Sequence, residues 1–430
     1  MPKVILTLAI PTIISMLVTS LYNIVTTFYV GQISTQATAA VGVSFSFMSI
    51  IQAIGFMFGQ GSGNYISREL GAKDKDNACR MSATGFIYSV SFGIIIAILG
   101  LTFLTPLSKV LGSTPTILPD TERYMTFVLL GAPFMCGALV LNNQMRFQGN
   151  ARYAMFGIIT GAVVNVVLAP IFIFILKWGI TGAGLATFLG QAFSLTVLML
   201  MTHRGGSIRI NPRLFSPTKY YIKEILAGGT PSLTRQALAA ISVAMLNIAA
   251  SRYGDAAIAA MSIVSRIIFV VFAAVIGLGH GFQPLCGFCY GAHLYDRVKS
   301  GYWFIVKVGA IFLITVTLLG TIFAEGSIAV FRNDPEVIRI GQEALKWQLI
   351  TLPVGSFVMY TNMMMQTIRQ PLLANILASA RNGICFIPLI IILPYFFGLL
   401  GVEMCQAWAD VLAFILAIFV ACKGFKALKE

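Results

Sequence analysis

LAIPTIIS at residues 8–15 and GGTPSLTR at residues 228–235 are the two stretches on which the fold turns. Their prolines, Pro11 and Pro231, stand 220 residues apart (231 − 11), and the same offset recurs along the chain. Gly59, Gly61, Gly71 and Ala72 answer to Gly279, Gly281, Gly291 and Ala292. Pro115 answers to Pro335, Pro133 to Pro353, and Asn142 to Asn362. Glycine and proline have backbone roles that other residues fill badly. One offset held over so many of them is the mark of an internal repeat.

The medium around the repeat follows from composition. Of 430 residues, 57% are hydrophobic and only 10% charged. A soluble chain carries roughly a quarter charged residues. Apolar runs such as 86–103, 154–176 and 385–400 approach the ~20 residues that cross a bilayer as helix. Within lipid each backbone polar group must be bonded inside its own segment, which selects helices. The runs lack the alternation of barrel strands. About twelve helices are expected, near 4–29, 37–66, 82–104, 122–145, 153–176, 180–202, 221–250, 255–288, 301–324, 338–366, 372–396 and 402–422. The first has no small-residue cleavage site and is expected to be retained.

The net charge of +14 does not point to nucleic acid, because of where it lies. With a cytoplasmic N-terminus, eighteen Lys/Arg fall on inner loops and tails, including Arg68, Lys73, Lys75, Arg80 and the five of residues 203–223. Seven fall outside: Lys109, Arg123, Lys177, Arg252, Arg332, Arg339 and Lys346. This is the positive-inside bias, and it places both termini in the cytoplasm. Six helices per half is an even number, so the halves run parallel about an axis along the membrane normal. The expected domains are residues 1–202, a cytoplasmic linker 203–223 broken by Asn211-Pro212 and Ser216-Pro217, and residues 224–430. The linker reads either as a tether between lobes or as a solvated basic loop that fixes topology. Paired halves of this kind commonly move against each other around a central site, so transport leads the functional readings.

Several chemistries find no support. Cys286-x-x-Cys289 has metal or redox spacing but no second pair or histidine cluster beside it, and reads as small apolar residues at a helix end. His203, His280 and His293 are scattered. No catalytic constellation and no nucleotide-binding loop occurs, so neither an enzyme nor an ATP-driven pump is expected, and no cofactor.

Four segments carry a resemblance. They are LAIPTIISMLVTSLYNIV at 8–25, GNYISRELGAKDKDNA at 63–78, YGDAAIAAMSIVSRI at 253–267 and GFQPLCGFCYGAHLYDRVK at 281–299. Together they resemble the multidrug and toxic compound extrusion (MATE) family, in its MepA-like bacterial branch, over essentially the whole chain. The major facilitator superfamily shares a six-plus-six layout, but its loop signature does not fit Ser67-Arg68-Glu69-Leu70-Gly71. The resemblance implies an all-α protein of the bacterial inner membrane, a V-shaped pair of six-helix lobes, acting as a monomer. Amphipathic or cationic small molecules would bind between the lobes, and a transported proton or sodium ion would drive their export.

The chain departs from that family where cations are handled. Many members carry an Asp in helix 1 after the Tyr-Asn-Ile-Val stretch, where this chain has Thr26. Many carry Asn-x-x-x-Asp-Pro in helix 5, where this chain keeps Asn165 but has Ala169 before Pro170. Thr187 matches a helix 6 threonine of the family. Thr and Ala cannot titrate, and neutral oxygens alone lack the charge that offsets desolvation of an ion.

An ionisable group within a membrane is costly, so each is a candidate for function. Asp410 lies well inside helix 12, and Glu403 is two turns earlier on the same face. Asp410 is either a proton or sodium carrier with Glu403 at its mouth, or the partner of Arg266 in a structural pair that holds it ionised. Glu403 otherwise sits solvated at the interface. Arg235 and Arg266 are expected to be buried cations. Asn142, Asn143, Gln144, Asn362 and Gln366 are either substrate contacts or interhelical glue. Tyr22, Asn23, Phe147, Met359, Met363 and Met364 are candidates to line an adaptable cleft, since methionine surfaces repack around varied ligands. Pro11, Gly55, Gly59, Pro133, Pro231, Gly277 and Pro353 mark bends or packing points. Two rival functions remain open here: a flippase for lipid-linked precursors, for which Arg235 and Arg266 would have to hold a pyrophosphate, and a membrane receptor or channel that does not transport.

Overall fold

The structure is a computed structural model that describes residues 2–204, 208–331 and 334–428, with the backbone alone at Asn23. Twelve long helices carry the chain: α1 Pro2–Gly31, α2 Thr35–Gly71, α3 Lys75–Thr102, α4 Leu118–Phe147, α5 Ala151–Ile175, α6 Gly179–Met201, α7 Lys219–Ser251, α8 Asp255–Gly291, α9 Tyr295–Ile322, α10 Pro335–Thr367, α11 Pro371–Phe397 and α12 Leu399–Ala427. Short helices at Leu104–Val110 and Ala324–Ala329 follow α3 and α9, and no strand occurs among the described residues. The protein is an all-helical, multi-pass membrane protein.

The 220-residue offset is written into the helix ends. The bounds of α8 are those of α2 moved by 220, and the bounds of α9 are those of α3 moved likewise. The turns repeat as well. Lys73 and His293 close α2 and α8 with φ of 65° and 58°, the left-handed conformation that ends many helices. Asp74 caps α3 by accepting from the Asn77 amide at 3.0 Å, and this lets α3 begin at Lys75, one full polar turn before its apolar run. The equivalent α9 also begins early, at Tyr295, although Leu294 before it offers no side-chain cap.

Eleven of the twelve helices are long and apolar enough to cross a membrane. The exception is α10. It packs against α8, α9 and α12, as α4 packs against α2, α3 and α6 in the first half. A helix so enclosed meets little lipid and tolerates buried Gln348, Thr361, Asn362, Gln366 and Thr367. Small residues let the neighbours close in. A Cβ on Gly93 of α3 would lie 2.7 Å from Cα of Pro133 in α4.

The chain divides into two compact units, Thr7–Gly229 and Thr230–Glu430 with Met1–Leu6. The divisions fall inside α1 and α7 rather than in residues 203–223. Residues 208–223 are fastened to the first unit. The Ile208 amide donates to Oε1 of Gln148 at 2.7 Å, and the Ser216 amide to the Thr84 hydroxyl at 3.1 Å. Phe215 lies edge-on to Tyr88. The start of α7 continues the attachment through a buried ion pair, Arg68 to Glu224 at 2.8 Å. A Cβ on Gly61 would collide with the Ile225 carbonyl, so α2 and α7 touch backbone to backbone.

Candidate functional site

In the first unit the family-like positions assemble. Thr26 of α1 donates to Oδ1 of Asn165 in α5 at 2.9 Å, and Nδ2 of Asn165 donates to the Thr187 hydroxyl of α6 at 3.3 Å. Thr187 in turn donates to the Ala183 carbonyl at 3.0 Å, with the Tyr124 hydroxyl 3.4 Å away. Thr26, Asn165 and Thr187 are all buried. Ala169 is fully buried in the apolar cluster with Ile173 and Ile180. The cluster is therefore a closed neutral network in which the hydroxyl at 26 meets the asparagine amide oxygen. The turns after Pro170 widen to a π-helix over Ile171–Ile175.

The charge in the second unit is arranged differently from the expectation. Asp410 does not pair with Arg266, which is exposed on α8. Its partner is Arg381 of α11: Nε donates to Oδ1 at 2.8 Å and Nη2 to Oδ2 at 3.3 Å. Gln406, one turn earlier on α12, donates to Oδ1 at 2.9 Å. The Arg381 guanidinium also lies 4.1 Å from the ring centre of Phe272. Asp410 is buried, and the two-point geometry is that of a strong carboxylate clamp. A π-turn over Ala380–Ile384 presents Arg381, and the Ser242 hydroxyl of α7 donates to the Asn382 carbonyl that the turn leaves available. Asp410 stands eleven residues from the start of α12 and seventeen from its end. No other carboxylate among the described residues lies as far from both ends of its helix.

The expected cleft amides are engaged within their own units. Asn142 donates to the Ala154 carbonyl at 2.9 Å and Asn362 to the Ala374 carbonyl at 2.6 Å, the same bond in both halves. Asn143 accepts from Gln60 at 3.1 Å. Gln144 accepts from the Ser82 hydroxyl at 2.9 Å and donates to that of Ser62 at 3.0 Å. Gln366 accepts from Gln283 at 3.3 Å and donates to Ser232 at 2.9 Å. Arg235 is half-buried and donates to Oδ1 of Asn362 at 3.1 Å. Phe147, Met359, Met363 and Met364 are buried, Tyr22 is partly exposed, and the Asn23 side chain lies outside the described residues. Cys286 and Cys289 are buried near the end of α8. Glu403 is buried four residues into α12, where it faces a cavity with Arg339 and Glu343.

Two residues of consequence escaped the sequence reading. Arg381 stands in the short polar stretch just ahead of the apolar run 385–400 and was given no role, yet α11 and α12 form an antiparallel hairpin around Gly398. A hairpin neighbour is the first partner to seek for a buried acid. Glu224, the first residue of the expected second half, was given no role, and no local pattern marks its ion pair with Arg68.

Comparison with known proteins agrees with this architecture. The MatE family model matches residues 11–171 and 231–396, two segments that begin 220 residues apart. The multidrug export protein MepA of Staphylococcus haemolyticus is 26% identical over 423 residues, covering 97% of this chain and 92% of that protein. A MOP superfamily transporter from Pyrococcus furiosus superposes with a TM-score of 0.93 at 27% identity, over 100% of this chain and 96% of that one. An outward-facing structure of a multidrug resistance MATE family transporter superposes with a TM-score of 0.92 at 27% identity, over 99% and 96%. With the family model matching both halves of its doubled helical unit, this chain belongs to the MatE family of multidrug efflux transporters, which are not enzymes.

Proposed function

We propose that the protein exports amphipathic or cationic organic small molecules by alternating access, driven by a proton or sodium gradient, from an inner membrane in which both termini face the cytoplasm. Coupling is placed in the second unit, at Asp410. The observation that carries this reading is the contrast in chemistry between the units. The Thr26–Asn165–Thr187 network has no group that titrates in the working range, so it cannot take up and release a proton. Asp410 has a charge, a mid-helix depth and a partner that can let go. A cation or proton that takes the carboxylate frees Arg381, and a charge set free in a membrane interior has to find a new arrangement. The ligand and the gradient then act on one element with two states.

The test uses inside-out vesicles carrying the full chain, with ethidium as the transported cation and proton or sodium gradients imposed separately. Uptake in these vesicles is expected with one of the two gradients. Asp410→Asn keeps size and hydrogen bonding but removes the charge. Gradient-driven uptake is expected to fall at least tenfold, with ethidium binding to the purified protein retained within about threefold, since the barrier to the cycle and not the binding energy is altered. Full uptake by a stable Asp410→Asn overturns the assignment of coupling. No uptake by the parent protein under either gradient overturns the export reading.

A further inference from the structure

At the Leu399 end of α12 the second unit holds a cavity of about 320 Å³, lined by Arg339 and Glu343 of α10 and by Leu399, Leu400 and Glu403 of α12. Glu403 is 5% exposed, and among the described residues no hydrogen bond or ion pair engages it. A buried carboxylate without a partner is expensive to keep. Arg339 and Glu343, one helical turn apart, are exposed on the rim. The wall is therefore two carboxylates against one guanidinium, a net charge of one negative, beside two leucines. Just before the turn into α12, Tyr395 and Phe396 are 85% and 71% exposed, the placement of aromatic residues at headgroup level.

We propose that this cavity is a binding site for a monovalent organic ammonium ion, with Glu403 as its anchor, Glu343 as a second contact and the leucines receiving the ligand's apolar part. A divalent metal ion does not suit the site. Ca²⁺ takes six to eight oxygens, and two carboxylates with an opposing arginine offer far fewer. The size is at the lower end of ligand sites, which run from roughly 300 Å³ upward, and fits one small amphipathic amine. Such a ligand has two sources, a free amine concentrated at the membrane surface and the ammonium of an ethanolamine lipid headgroup. The site is separate from Asp410, and the inference does not depend on the export reading.

The experiment measures binding of 2-phenylethylammonium to the full chain in phosphatidylglycerol nanodiscs, at about pH 8.5, where carboxylates are ionised and the amine is still charged. Glu403→Gln is expected to weaken binding at least tenfold and Glu343→Gln about threefold. Arg339→Gln is expected to tighten it severalfold, because it removes the repelling charge. That opposite sign is what a merely structural role for the three residues would not produce. The two rim variants lie on exposed α10 positions, so they decide the matter even where Glu403→Gln lowers the yield of folded protein. Phosphatidylethanolamine in the nanodisc either competes, which names the headgroup as occupant, or does not, which names the free amine; both outcomes keep the site. Unchanged binding in Glu403→Gln, weaker binding in Arg339→Gln, or displacement by millimolar Mn²⁺ overturns it. Asp410→Asn should leave this binding unaltered, so a failure of the coupling assignment and a failure here are read separately.

Discussion

The crossing of α5 with α6 and the crossing of α11 with α12 are the same place in the two halves, and they are built from opposite materials. In the first unit Gly161 and Gly190 meet with no side chain between them: a Cβ on Gly161 would stand 2.8 Å from the Gly190 carbonyl oxygen, and one on Gly190 would stand 2.9 Å from that of Gly161. A shift of 220 carries these positions to Arg381 and Asp410, the ion pair of the second unit. One crossing is closed by the absence of side chains, the other by a charged pair braced by Gln406 and Phe272. The backbone repeat therefore tolerates a full change of packing chemistry at a helix crossing. What it keeps are the features that set helix length and turn shape. At this crossing charge is confined to one half, and so, on the reading advanced above, is coupling.

Breaking the charged crossing should have the largest effect. Arg381→Met leaves the Asp410 carboxyl group buried without its partner, at an expected cost of about 3–5 kcal/mol. Loss of folded protein in detergent, or a fall in thermal midpoint, would register it. Arg381→Met with Asp410→Leu should recover most of that loss, because well-packed apolar residues often replace a buried pair at little cost. A double variant as unstable as the single one would show that the π-turn over Ala380–Ile384, and not the charge, holds the crossing.

The glycine crossing is next. Gly161→Ala places a methyl group 2.7 Å from the Ser194 Cβ and 2.8 Å from a backbone oxygen. Backbone cannot step aside as a flexible side chain does, so α5 and α6 must separate, at about 1–3 kcal/mol. Thermal unfolding of the purified protein measures this. A neutral or stabilising Gly161→Ala would mean that the two helices are further apart than this geometry has them.

How far these differences were legible beforehand depends on the kind of residue. Pro11, Pro231, Gly71 and Gly291 announced the repeat, since backbone-determining residues leave a periodic trace, and helix number followed from apolar length. The neutral residues Thr26 and Ala169, where the resemblance implies acids, were also visible, and Thr26, Asn165 and Thr187 do meet. The partner of Asp410 was not. Arg266 and Arg381 both lie in apolar helices, and sequence supplies depth far better than azimuth. A helix that contains a π-turn shifts its downstream residues around the axis by an amount no linear spacing reveals. The docking of residues 208–223 was hidden for a related reason: the bonds at Ile208 and Ser216 come from backbone amides, which every residue but proline possesses.

The comparison can be pushed from the neutral side as well. Thr26→Asp with Ala169→Asp puts two carboxylates into the closed network of the first unit. With Asn165 and Thr187 already in place, transport by this variant is expected to gain a dependence on proton or sodium concentration that the parent lacks in this unit, and to retain part of its uptake when combined with Asp410→Asn. Unaltered ion dependence in the vesicle assay would mean that these positions do not face one another closely enough to hold a cation, and that the neutral network is purely structural.

The smallest expected effect separates the halves at a point where they look alike. Asn142 and Asn362 make the same bond, to the carbonyls of Ala154 and Ala374. Asn142→Ala removes one hydrogen bond from a half-buried site and should cost about 1 kcal/mol, the usual net worth of such a bond. Asn362→Ala removes the equivalent bond and also the acceptor of Arg235, whose guanidinium is half-buried in α7. Hydrogen bonds to charged groups are worth about 1.5–3 kcal/mol, so the second variant should lose roughly two to three times as much stability as the first. Arg235→Met in the Asn362→Ala background removes the stranded cation and should close most of that gap. Equal losses in Asn142→Ala and Asn362→Ala would instead mean that Arg235 is solvated well enough not to need its acceptor, and that the asymmetry of charge between the halves ends at the α11–α12 crossing.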